Sequence, residues 1–171
     1  GTPEAIREHL PEALLDAGDL YAQSDSRDRA LDAYGRYVKE FPKPAETAIE
    51  TRFKIAEIYK AANDETLYHQ QLEEIVSADA VAGSERTSRT RTLAARSALV
   101  LAEQLYRDFA AVKLRQPFET SLKDKQQRMD ATIDAMNRLV EYEIADVTAA
   151  ATYYMAETYF DFSRSLKESE R

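Results

Sequence analysis

Residues 13–42, ALLDAGDLYAQSDSRDRALDAYGRYVKEFP, decide the fold. Leu14, Ala17 and Tyr21, then Ala30, Tyr34, Tyr37, Val38 and Phe41, recur at intervals of three and four. That period puts each set on one face of an amphipathic helix. Ser24-Asp25-Ser26 parts the two runs and can cap a helix beginning near Arg27. Phe41-Pro42-Lys43-Pro44 ends the second run, because proline has no amide hydrogen and restricts the residue before it.

The same period extends in both directions. Ile6 and Leu10 continue the first stripe; Ala48, Ile55, Ala56 and Tyr59 form a third; Tyr68, Leu72, Ile75 and Val76 form a fourth. Strict two-residue alternation is sustained nowhere, and four Gly and five Pro leave little turn chemistry for a strand-rich fold. Asn63 reads as a helix cap, Ala80 to Ser84 as a turn, and Gln116-Pro117 as a break. The boundary near Glu143 to Asp146 has neither Gly nor Pro. The expected elements are seven helices over 3–23, 26–41, 45–62, 64–78, 85–114, 117–142 and 146–170. Short connections imply that sequential helices pack antiparallel. The fifth would be about 45 Å long at the usual helical rise.

The chain has 171 residues, 44% apolar and 32% charged, with no Cys and no Trp. This length suits one domain or one stretch of a repeat array, with a core that needs no disulfide or metal. Without Cys, a disulfide scaffold, thiolate catalysis and Cys-based zinc sites are excluded. No run of 18 apolar residues is present to span a membrane. The net charge of −8 argues against a general nucleic-acid binder. The excess acid lies in residues 1–82, which hold 17 acidic and 9 basic side chains, whereas residues 83–171 hold 14 of each. The helical pattern running close to both ends reads as a fragment of a longer protein.

Four segments share a pattern ending in Tyr: ALLDAGDLY to Tyr21, TRFKIAEIY to Tyr59, ALVLAEQLY to Tyr106 and ATYYMAETY to Tyr159. Three residues before each Tyr stand Gly18, Ala56, Glu103 and Ala156. In the first unit Gly18, Tyr21, Ala30, Tyr34 and Pro42 fall at the offsets of a tetratricopeptide repeat, which that unit resembles. Small residues let two helices approach, and aromatics fill the space beside them. The second unit keeps Ala56 and Tyr59 but has Tyr68 and Leu72 where Ala and an aromatic belong. In the third, Glu103 replaces the small residue beside Ala102. The tyrosines are spaced by 38, 47 and 53 residues, so the third pair is elongated. The resemblance implies an all-α, right-handed α-solenoid of antiparallel helix pairs. It forms a single domain over 1–171 with units 11–44, 45–82, 85–142 and an incomplete 146–171, further repeats being expected C-terminally. The segment EIADVTAAATYYMAETYFDFSRSLKESER (143–171) is similar to one in tetratricopeptide proteins of Gram-negative envelope machines of the TonB or gliding-motility type. That likeness implies a periplasmic scaffold.

In such arrays the first helix of each pair lines a concave face. Six residues before each Tyr stand Leu15, Phe53, Val100 and Tyr153; two before stand Asp19, Glu57, Gln104 and Glu157. One after come Ala22, Lys60, Arg107 and Phe160. Carried over, these columns make a groove with an apolar floor and an acidic rail, suited to a protein or peptide segment with apolar and basic side chains. The alternative is that the apolar column only contacts neighbouring helices. Leu15 and Asp19 do not suit a clamp for a terminal carboxylate.

Other features have blander readings. Arg86, Arg89, Arg91 and Arg96 oppose the dipole at a helix start. They are expected to pair with Glu73, Glu74 and Asp79 rather than to bind a phosphate. His9 and His69 have no ligand partners at helical spacing. The polar stretch Glu119 to Gln127 lies beside a seam of Leu122, Met129, Ile133, Met136 and Val140, which fits a helix packed along its neighbour. No catalytic constellation or cofactor motif is found, so an enzyme is not expected. A non-enzymatic interaction scaffold is the leading expectation. A small-molecule or lipid-binding helical module is one alternative. The other is a homo-oligomeric structural component that uses the last helix, with Met155, Phe160 and Leu166 on its apolar face.

Overall fold

The computed structural model describes residues 1–170. Among these residues there are seven α-helices and no strand: α1 (Pro3–Gln23), α2 (Arg27–Glu40), α3 (Ala45–Ala61), α4 (Glu65–Ala80), α5 (Ser88–Ala111), α6 (Phe118–Val140) and α7 (Ala145–Ser169). A 3-10 turn, Gly83–Glu85, precedes α5. At 24 residues, α5 is about 36 Å long, shorter than expected at both ends. The chain divides into two compact units, Gly1–Ala94 and the part from Ala95 onward.

In the first unit α1 packs on α2, α2 on α3, and α3 on α4. Its core gathers Leu14, Ala30, Tyr34, Tyr37, Val38 and Ile55, with Tyr21 and Tyr59 against them. At Gly18 the Tyr34 ring of α2 lies directly against the α1 backbone, since a methyl group added there would overlap it. Thr2 opens α1 by accepting a bond from the Ala5 amide, with Pro3 at the first helical position.

Two of the three interhelical turns between α1 and α4 share one main-chain pattern. After α1, Asp25 adopts φ 57°, the Ser26 amide donates to the Tyr21 carbonyl at 2.8 Å, and the Asp25 amide to that of Ala22 at 3.3 Å. After α3, Asn63 adopts φ 58°, the Asp64 amide donates to the Tyr59 carbonyl, and the Asn63 amide to that of Lys60, both at 3.0 Å. Each is a Schellman closure with its left-handed residue just past the helix. Asn63 is therefore not the cap of α4. That role falls to Asp64, whose Oδ1 accepts from the Leu67 amide at 3.1 Å. Ser24 likewise serves the end of α1, its hydroxyl donating to the Leu20 carbonyl.

In the second unit Ala95, Ala102, Met136, Leu139, Val147 and Ala151 of α5, α6 and α7 share a core. Lys125, within the polar stretch Glu119 to Gln127, is fully buried. Its ammonium donates to the Phe109 and Val112 carbonyls, at 3.1 and 2.7 Å, and lies 2.8 Å from Asp161 Oδ1. It also stands 4.3 Å from the centre of the Phe109 ring. One cation thereby satisfies carbonyls at the end of α5, which have no partner within the helix, and joins α6 to α7.

Three substitutions, each followed by urea unfolding, check this packing. Gly18→Ala gains helix propensity but drives a methyl into the Tyr34 ring, a net loss of about 1–3 kcal/mol in urea unfolding. Gly35→Ala, whose added methyl meets nothing within 4 Å, gains about 0.5–1 kcal/mol. Lys125→Ala removes the cation of a buried pair, leaves Asp161 with Arg164 and Ser165, takes the side-chain donor from the Val112 carbonyl, and lowers stability by about 3 kcal/mol in urea unfolding.

Candidate binding site

The first unit carries a concavity of about 560 Å³ between α1, α2 and α3. Phe53, Lys54, Glu57 and Ile58 occur at intervals of three and four on α3, so they share one face and turn towards it together. Opposite them stand Asp19 of α1 and Tyr34 of α2.

Asp19 is the polar centre. Its Oδ1 accepts from the Tyr34 hydroxyl at 2.5 Å and from the Lys54 ammonium at 2.9 Å. Lys54 also lies 5.6 Å from the centre of the Tyr34 ring. Burial disfavours the charged form of Asp19, but the hydrogen bonds from Tyr34 and Lys54, with the lysine charge, outweigh it and hold the carboxyl below its ordinary 3.8. Burial raises the Tyr34 phenol, and the bond to Asp19 and its charge raise it further, so this hydroxyl stays a donor. Arg27 lies 3.9 Å from the exposed Asp25. Glu57 is exposed and its side chain makes no ion pair or hydrogen bond among the described residues, which leaves one unanswered carboxylate beside Phe53.

The structure thus brings Asp19, Phe53 and Glu57 to one concavity. Leu15 instead packs into the core of the unit. Lys60 is directed to α4, 5.9 Å from the centre of the Tyr68 ring. In the second unit Val100 is half-buried, and Gln104 is engaged on its own helix. Its amide donates to Asp108 at 2.8 Å and accepts from Arg107 at 2.9 Å. Glu157 is half-buried near the Tyr106 phenol, whose pKa is raised by burial and then by the charges of Glu157 and Asp161. Tyr153 and Phe160 are 59% and 72% exposed. Tyr154 turns inward, its hydroxyl donating to Glu103 at 2.9 Å.

Lys54 lies outside the three columns, which take the positions six before, two before and one after each Tyr. The clue was that Lys54 adjoins Phe53 and precedes Glu57 by three residues on the same helix face.

The arginines mostly find carboxylates. Arg86 grips the buried Asp79 through Nε and Nη2, at 3.0–3.1 Å, and Thr90 donates to the same carboxylate at 2.8 Å. Arg89 pairs with Glu50 of α3 at 3.3 Å, not with Glu73 or Glu74, and Arg96 reaches Asp146 at 3.5 Å. Arg91 Nε is buried without a partner. Thr87 and Thr90 exchange side-chain bonds with each other's amides and so cap α5. Among the described residues no three His, Cys, Asp or Glu side chains converge on a metal position, and no helix is long and apolar enough to cross a membrane.

No family model, curated protein or solved structure matches this chain.

The lowered Asp19 pKa gives a pH dependence of defined sign. Its contribution is complete above the ordinary carboxyl value and is lost as pH falls through the lowered folded value. Lys54→Gln moves the Asp19 carboxyl back up towards 3.8 in an NMR titration, and Asp19→Asn removes this part of the acid sensitivity of unfolding.

Proposed function

We propose that this chain is a non-enzymatic, tetratricopeptide-type interaction scaffold whose first unit holds a partner segment in the concavity between α1, α2 and α3. The reading includes antiparallel hairpins continuing as a right-handed solenoid. The repeated turn after Tyr21 and Tyr59 supports this, as does the aromatic-on-small contact of Tyr34 with Gly18. The observation that carries the function is charge. Asp19 is answered within the site by Lys54, whereas Glu57 is not answered at all. An apolar side chain resting on Phe53 and Ile58, followed by a lysine or arginine reaching Glu57, matches that surface. Bringing such a segment to the chain would help to assemble a multiprotein complex.

The test is fluorescence anisotropy with a labelled peptide that alternates leucine and lysine. Wild type binds it saturably. Phe53→Ala combined with Glu57→Lys weakens binding at least about tenfold, or about 1.4 kcal/mol, with the helical circular dichroism unchanged. Undiminished binding by that variant sinks the reading.

A further inference from the structure

The second unit holds an uncovered surface that the groove reading does not use. Along α7, Asp146, Ala149, Tyr153, Ala156, Phe160, Ser163 and Lys167 follow one another at alternating intervals of three and four. This is the spacing of a coiled-coil seam, and all seven residues are exposed. The core of the unit takes other residues of the helix, including Val147, Ala151, Thr158 and Asp161. Met155, expected on the free face, packs against that core instead. The free strip is therefore a second apolar face on a helix already anchored by its first. Tyr153 and Phe160 make it a patch of the kind that marks contact sites.

The strip reads nearly the same in both directions. From either end it runs charged, small, aromatic, small, aromatic, small, charged, and the two terminal charges are opposite. We propose that α7 pairs antiparallel with α7 of a second copy of this chain, about a two-fold axis at Ala156. Around that axis Ala156 meets its own counterpart and Ala149 meets Ser163 of the other copy. Tyr153 meets Phe160, and Asp146 meets Lys167, and every contact off the axis occurs twice, as an isologous interface requires. The small layers let the backbones come close, and the aromatic layers fill the space between them. A parallel pairing would set Asp146 against Asp146 and Lys167 against Lys167, so charge selects the antiparallel one. Asp146 accepts from the Val147 amide at 3.0 Å and lies 3.5 Å from the exposed Arg96, and its side chain is still 65% exposed, which leaves the carboxylate accessible. The seam spans about 32 Å.

The whole chain is tested by sedimentation equilibrium over a wide concentration range. Wild type populates a dimer that dissociates on dilution. Phe160→Glu is monomeric throughout with unchanged circular dichroism. Asp146→Lys and Lys167→Asp each weaken the dimer several-fold. The double swap recovers it, and so does an equimolar mixture of the two single variants, because both arrangements restore two opposite-charge pairs. A wild type that is monomeric at every concentration overturns the proposal. So does a dimer indifferent to Phe160→Glu, or a double swap no tighter than either single variant.

Discussion

The first unit depends on an aromatic ring laid against a helix that has no side chain at the point of contact. Gly18 makes room, and Tyr34, 2% exposed, occupies it. The same tyrosine then spends its one polar atom on Asp19, the next residue of α1, and Asp19 in turn holds Lys54 of α3. Packing and polar chemistry are consequently one contact. The ring cannot seat in the gap without delivering its hydroxyl to the carboxylate. The carboxylate, partly open to solvent, also takes the Lys54 ammonium of α3. One polar cluster thereby touches three helices, and the concavity lies beside it.

Much of this was legible in the chain. The three-four period located every helix, and the prolines at 42, 44 and 117 marked ends that no rearrangement of side chains could move. The spacing of Gly18, Ala30 and Tyr34 anticipated the contact of the Tyr34 ring with Gly18. What the sequence hid were outcomes of tertiary placement. Lys125 looks like any other residue of a polar run, and its long stem suits a surface as well as an interior. Its burial follows from where α5 stops, which leaves carbonyls in need of a donor, and no local pattern records that. Asn63 and Asp64 are both good caps by type. The choice between them rests on the left-handed backbone at Asn63, which a side-chain rule does not reveal.

The tyrosine motif shows that spacing alone does not determine environment. Around Tyr21 and Tyr59 the small residue, Gly18 or Ala56, is buried. At the third unit the buried small residue is Ala102, while Glu103 accepts from Tyr154. On α7 the same register faces outward, with Ala156 exposed and Tyr159 55% exposed. Identical periodicity thus yields an inner surface in one unit and an outer one in the other. The deciding factor is which neighbouring helix is there to receive it.

The paired closures after α1 and α3 bear on how such a chain can change over generations. Both are fastened through main-chain amides and the carbonyl of a tyrosine whose ring is committed elsewhere, so the bend asks chiefly for one residue that tolerates the left-handed backbone, Asp25 at one and Asn63 at the other. Serine and aspartate stand at one bend, asparagine and aspartate at the other, yet the backbone follows the same path. Substitutions can accumulate at these corners while the angle between successive rods stays put, and pairs of helices can drift apart in wording without drifting apart in form.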